Sequence, residues 1–183
     1  MESQQSTMTT ETPNKEEYNK LSDKWTIWAH LPHNTDWSIK SYIPITTFTT
    51  VEETIAVTET LPPILVENCM LFMMREGIKP TWEDPKNRNG GCFSYKVSNK
   101  NVYKVWKDLT YVVVGSTISK QLSYVNCVNG ITISPKKNFC IIKIWMRDKN
   151  EITNYDFTSN KYPFNIHLIF NIEEQLCVFK EHK

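Results

Sequence analysis

Gly77-Ile78-Lys79-Pro80-Thr81-Trp82-Glu83-Asp84-Pro85-Lys86-Asn87-Arg88-Asn89-Gly90-Gly91 ends in a long polar loop, from Lys79 onward, that carries a tryptophan. On its two sides, Asn68 to Arg75 and Cys92-Phe93-Ser94-Tyr95-Lys96-Val97 read as strands. Working outward, Trp25-Thr26-Ile27-Trp28 mixes β-formers from Lys24 onward, and Ser38-Ile39-Lys40-Ser41-Tyr42-Ile43 alternates polar with apolar. Between them Pro32-His33-Asn34-Thr35-Asp36 is rich in turn formers and ends on Trp37, which places Trp37 on a loop or its edge. Thr50-Val51-Glu52-Glu53 is a capping-box pattern, so a helix is predicted from about 51 to 60, stopping before Pro62-Pro63. The clearest helix has Val102, Val105, Trp106, Leu109, Val112 and Val113 on one stripe, with Ser98 or Asn99 as cap and Gly115 as its end. Trp106 lies in that stripe and reads as core. Residues 124–134 and 139–146 look like strands joined by the basic turn Pro135-Lys136-Lys137-Asn138, and Phe164–Ile172 with Gln175–Lys180 reads as a closing hairpin. Seven or eight short strands with two helices between them predict an α+β domain built on an antiparallel sheet.

The chain has 183 residues, which suits one domain able to bury roughly 70% of its unfolded surface. Residues 1–20 have almost no apolar content and are expected to be a disordered tail, leaving 21–183 as a single domain. No apolar run approaches the ~20 residues of a membrane span, and no signal-peptide core is present at the N-terminus. Five cysteines without a Cys-x-x-Cys pair, and no Asn-x-Ser/Thr site, fit a reducing compartment, so a soluble cytoplasmic protein is expected. The net charge of +1 disfavours a non-specific polyanion binder. It is unevenly spread, with 4 basic and 9 acidic residues in 1–60 against 17 and 11 in 61–183, so an anion site is expected in the later part. Lys outnumbers Arg 18 to 3 and Ala occurs only at Ala29 and Ala56, a bias expected of an AT-rich genome such as a protist's or a large DNA virus's.

Six tryptophans are the main composition signal. Trp37 and Trp82 both fall near loops, and two aromatic rings on loops can form a slot for a flat ring. Glu83 beside one of them only accepts hydrogen bonds, which suits guanine's N1–H and N2–H₂ edge. The lysines of the turn at Lys136-Lys137 suit phosphates. A base methylated at N7 is cationic and gains cation–π attraction from two indole faces.

These residues carry a resemblance. Trp25-x₂-Trp28, a loop Trp37 and the run Gly77 to Gly91 closely resemble the eukaryotic translation initiation factor 4E family, which binds the mRNA 5′ cap. The likeness is close over about 21–146. It implies a curved antiparallel sheet with helices on its convex back and the cap slot on its concave face. It further implies that Trp37 and Trp82 sandwich 7-methylguanine, that Glu83 binds its N1 and N2 hydrogens, and that Trp145 lies against the methyl group. Trp25, Trp28 and Trp106 match structural tryptophans, and Phe93 stands for a further one.

The departures are specific. Of three basic residues that grip the cap's triphosphate, the first maps to Lys136, the second to Asn138 and the third to Ile141, with Lys137 one place off; a fourth basic position is Cys92. The family's partner face, which takes initiation factor 4G and competing repressors, reads Asn19-Lys20-Leu21, Val51, Ile55, Trp106 and Lys107-Asp108 here. Its recognition tryptophan is Ile55 and a leucine is Lys107. The expected partners are capped mRNA and, on that face, a factor 4G-like or co-encoded protein, the chain itself acting as a monomer away from membranes. A cap-sequestering translational repressor is the alternative to an initiation factor. The stretch from Met146 to Pro163 is turn-rich, and the turn Asn171-Ile172-Glu173-Glu174-Gln175 is short and acidic. No P-loop, GxGxxG or GxSxG occurs, no enzyme or cofactor is expected, and His30-x₂-His33 with Asp36 reads as surface rather than metal site.

Overall fold

The computed structural model describes residues 18–152, 164, 166 and 177–182. Its strands are β1 Lys20–His30, β2 Tyr42–Thr50, β3 Met70–Arg75, β4 Gly91–Ser98, β5 Val128–Pro135, β6 Phe139–Met146 and β7 Cys177–Glu181. The helices are α1 Val51–Thr60, α2 Pro63–Asn68, α3 Val102–Val114 and α4 Leu122–Cys127, with short 3₁₀ turns at Ile39–Ser41, Asn99–Asn101 and Asn150–Ile152. Among the described residues seven strands form one curved antiparallel sheet in the order β2-β1-β3-β5-β6-β4-β7. Register shifts in the β1/β2 and β5/β6 pairs add local bend.

Period-2 alternation divides the side chains between two faces. Trp25, Ile27 and Ala29 of β1, Leu71 and Met73 of β3, Phe93, Tyr95 and Val97 of β4, and Ile142, Ile144 and Met146 of β6 point to one face. There they meet Trp106, Leu109 and Val113 of α3, which packs on β1 and β5 and against α1 and α2. The other face carries a smaller cluster of Phe72, Met74, Ile78, Cys92 and Trp145, with Trp28, Tyr42 and Met70 against it. The sheet therefore has a helix-covered back and an aromatic front.

Helix α1 begins as the sequence predicts: the Thr50 hydroxyl accepts from Glu53 N–H at 3.2 Å, and the Glu53 carboxylate accepts from Thr50 N–H at 3.2 Å. Three local expectations differ. Asn101, not Ser98 or Asn99, stands at the N-cap position of α3, without a side-chain capping bond, because a 3₁₀ turn intervenes. Residues 124–127 belong to α4 and not to a strand, Tyr124 and Val125 being buried on its inner side. Strand β1 starts at Lys20, its first residue pairing with Thr50, so the ordered domain begins before the apolar pattern does. Of the predicted closing hairpin, β7 pairs with β4, and Ile166 is helical; the remainder, the acidic turn at 171–175 and the tail at 1–17 lie outside the described residues.

Trp106 is 2% exposed, which corrects its expected place on a partner face: the α3 stripe turns it into the core. Trp106→Ala is therefore expected to cost about 3–5 kcal/mol. Ile55→Ala, on the outer side of α1, should stay within about 0.5 kcal/mol. Urea unfolding of the two variants measures the difference, and equal losses would contradict this packing.

Candidate functional site

Trp37 is positioned by the end of β1. The loop after His30 is set by Asp36, whose N–H donates to Asn34 Oδ1 at 2.9 Å and whose carboxylate accepts from Ser38 N–H at 2.8 Å and Ser38 Oγ at 3.0 Å. Those Ser38 bonds hold the Asp36 carboxyl below its ordinary pKa. The indole then lies flat on the His30 ring, with centroids 4.3 Å apart and planes 5° from parallel. His30 Nε2 is 2.9 Å from the Asp36 carbonyl oxygen, which can only accept, so Nε2 carries the hydrogen. Edge contacts pass the support inward from His30 to Tyr42 (5.2 Å) and from Tyr42 to Phe72 (5.3 Å). Trp37 nevertheless stays 58% exposed: one face is braced and the rest is open.

Trp82 and Glu83 are held by a loop that is closed from within. The Asp84 carboxylate accepts from Lys79 N–H (3.0 Å) and Lys86 N–H (2.8 Å). Asn87 is fully buried and its amide donates to the carbonyls of Lys79 (3.0 Å) and Thr81 (2.8 Å). Asn129 of β5 donates to the Lys86 carbonyl (2.7 Å) and to Asn87 Oδ1 (2.9 Å). The loop enters at Gly77, whose φ of 73° favours glycine, and it leaves at Gly90, where a Cβ would overlap the Met146 carbonyl. Asp84 and Asn87 thus serve the loop, while Trp82 is left 47% exposed and Glu83 is exposed beside it. Burial, and then the nearby Glu83 charge, raise the Tyr42 hydroxyl pKa.

Trp145, 7% exposed, is fixed on β6 by donating Nε1–H to Thr132 Oγ1 at 2.6 Å. His182 packs against it with ring centroids 5.0 Å apart. The same histidine has Nδ1 2.8 Å from the Asn87 carbonyl and Nε2 3.2 Å from Cys92 Sγ. Burial pushes the Cys92 thiol up to about 12, so it stays uncharged.

Two hollows result. One of about 330 Å³ is lined by Trp37, Glu83, Lys79, Thr81 and Pro85. The other, about 300 Å³, is lined by Trp82, Trp145, Lys143, Lys180, Ser94 and His182 among others. The structure thus brings Trp37 to Glu83 and Trp82 to Trp145, with the Trp82-Glu83 peptide joining the two. Lys136 and Lys137 are exposed on the β5–β6 turn and line neither hollow. His30, Lys143, Lys180 and His182 were not singled out from sequence as site residues. Counting by twos from Trp145 would have found Lys143; the β4–β7 pairing that brings in Lys180 has no local signal. Among the described residues no three or more His, Cys, Asp and Glu gather as a metal site, and the five cysteines are free.

On the helical back, Val51 and Ile55 are exposed. Lys107 is 2.6 Å from Glu59, which also accepts from the Tyr111 hydroxyl at 3.0 Å, and Asp108 pairs with Lys104. The two Glu59 bonds link α1 to α3, whereas the Lys104–Asp108 pair lies within α3.

Burial lowers the His182 pKa from 6.5, the Asn87 carbonyl partly offsets this, and the Lys143 charge lowers it further. The fold then favours neutral His182, and the unfolded chain takes up the proton more readily. Its contribution is complete above about 6.5 and is lost as pH falls below that value. The margin by which the wild type out-melts His182→Gln should therefore narrow from pH 8 to pH 5 in thermal unfolding; a constant margin would contradict this placement.

A profile of the family described as Eukaryotic initiation factor 4E matches residues 20–183. The chain is 43% identical over 63 residues to an initiation factor 4E homolog of Acanthamoeba polyphaga mimivirus, a match covering 34% of this chain and 23% of that protein. It is 30% identical over 150 residues to the initiation factor 4E of Candida albicans, covering 75% of this chain and 70% of that protein. In fold it is similar to a schistosome eIF4E complexed with m7GpppG and 4E-BP, with TM-score 0.75, 23% identity and coverage of 90% and 89% of the two chains. It is likewise similar to Ascaris suum eIF4E-3 complexed with an m2,2,7G cap, with TM-score 0.71, 18% identity and coverage of 91% and 93%. With the profile spanning nearly all of the described domain, the chain belongs to the eukaryotic initiation factor 4E family.

Proposed function

We propose that the chain binds the 7-methylguanosine cap of mRNA and brings capped mRNA to the translation machinery in the cytoplasm. The observation that carries this reading is Trp37, braced flat on His30 and open on its other side, in one hollow with Glu83. The half-exposed Trp82 next to Glu83 supplies the second face of the sandwich, Glu83 takes the N1 and N2 hydrogens, and Trp145 lies toward the methyl group. Family relatives complexed with m7GpppG and m2,2,7G cap support it. Residues 21–183 act as one cap-binding domain, and the role is binding, not catalysis. No helix among the described residues is long and apolar enough to cross a membrane.

Stacking contributes about 1–3 kcal/mol per face. The charged bonds to Glu83 add about 1.5–3 kcal/mol, and the cation–π term of about 0.5–2 kcal/mol separates methylated from plain guanine. Each of Trp37→Ala, Trp82→Ala and Glu83→Ala is expected to weaken binding about tenfold or more. Intrinsic tryptophan fluorescence titrated with 7-methyl-GDP should show strong quenching that GDP does not reproduce. Equal quenching by the two nucleotides would overturn the reading.

The second reading, a repressor that sequesters caps, is favoured by the back face, where Ile55 replaces an aromatic anchor and Lys107 is tied to Glu59. Val51, Ile55, Lys107 and Asp108 would then meet a co-encoded partner or none. A pull-down with factor 4G fragments separates the two, since firm binding removes the repressor.

A further inference from the structure

We infer that the phosphate chain of the capped end is held by Lys143 and Lys180 in the Trp82–Trp145 hollow rather than chiefly by the Lys136-Lys137 turn. This rests on the cap-binding reading above. Strand register supplies the geometry. Cys92 of β4 pairs with Lys180 on one side and Trp145 on the other, and Ser94 pairs with Lys143. The two lysines thus stand diagonally across a floor made of two small side chains, Cys92 and Ser94, with the Trp145 ring at one end and Trp82 in the wall. A hollow of about 300 Å³ lined by two lysines from the strands on either side of a small polar floor suits phosphate oxygens.

The electrostatics agree. Among the described residues neither Lys143 nor Lys180 is in an ion pair. Glu181 lines the same hollow, but its carboxylate is 3.0 Å from Lys149. The Cys92 thiol is uncharged, and His182 is held toward its neutral form beside Lys143. The positive charge of the hollow is therefore that of the two lysines. The turn lysines sit beyond the Pro135–Cys140 pair, whereas Lys143 is three residues further in on β6, roughly 10 Å along the strand. A phosphate chain leaving a base stacked on Trp82 meets Lys143 and Lys180 first. Where the family pattern has a basic residue at position 92, the neighbours of Cys92 on the two adjoining strands carry the charge.

The test compares 7-methyl-GTP with 7-methylguanosine on the full chain by tryptophan fluorescence, for the wild type, Lys143→Gln/Lys180→Gln and Lys136→Gln/Lys137→Gln. The first double variant is expected to lose about tenfold per lysine in 7-methyl-GTP affinity beyond any loss for the nucleoside. The turn variant should lose less. Equal losses for the two ligands, a larger loss from the turn variant, or wild-type binding that gains nothing from the triphosphate would each overturn the inference while leaving the base slot standing. Failure of the wild type to bind either ligand would overturn the cap reading itself, and the inference with it.

Discussion

The buried amide of Asn87 is the contact on which the front of this protein depends. Its NH₂ group holds two loop carbonyls, its Oδ1 accepts from Asn129 of β5, and its backbone carbonyl is reached by His182 just past β7. One residue thus joins the Trp82-Glu83 loop to strands far away in sequence. Removing a partner from such a buried network strands donors and acceptors without water, at about 1–3 kcal/mol each. That cost keeps a polar loop in one shape, and the shape leaves Trp82 and Glu83 free. Asp84 performs the same service from the loop's own sequence. The division of labour within Trp-Glu-Asp is plain: two side chains face outward and the third closes the loop.

The sheet sets the second constraint. Because successive residues face opposite sides, β1 sends Trp25 and Ile27 to the helix-covered core, while Trp28 and His30 go to the front. Helix α3 covers the back with Trp106 and Leu109, so the front can keep aromatic rings that are only half covered. Trp37 exploits this: it borrows rigidity from His30, Tyr42 and Phe72 while leaving most of its surface open. A ring fixed before its ligand arrives loses less freedom on binding.

Much of this was legible in the sequence, for local reasons. The α1 capping box, the α3 stripe and the strand–loop–strand reading around Gly77 to Gly91 rest on short-range periodicity and capping, which the final fold keeps. The loop positions of Trp37 and Trp82 and the family likeness were readable in the same way. Residues 124–127 were misread because an apolar run of that length fits a helix as well as a strand, and the packing of α4 decided it. His30 reads as a surface residue from its turn-rich surroundings, yet it is 2% exposed, because its stack under Trp37 exists only in three dimensions. The role of His182 beside Cys92, and that of Lys180, depend on β7 reaching β4 from some 85 residues away, and no local pattern encodes that pairing.

The most direct test of the account is a crystal structure of the chain bound to 7-methyl-GTP. The account predicts the base between the Trp37 and Trp82 rings, its N1 and N2 edge on the Glu83 carboxylate and its phosphates toward Lys143 and Lys180. A base stacked on neither ring, or seated there with Glu83 turned away from its edge, would contradict it.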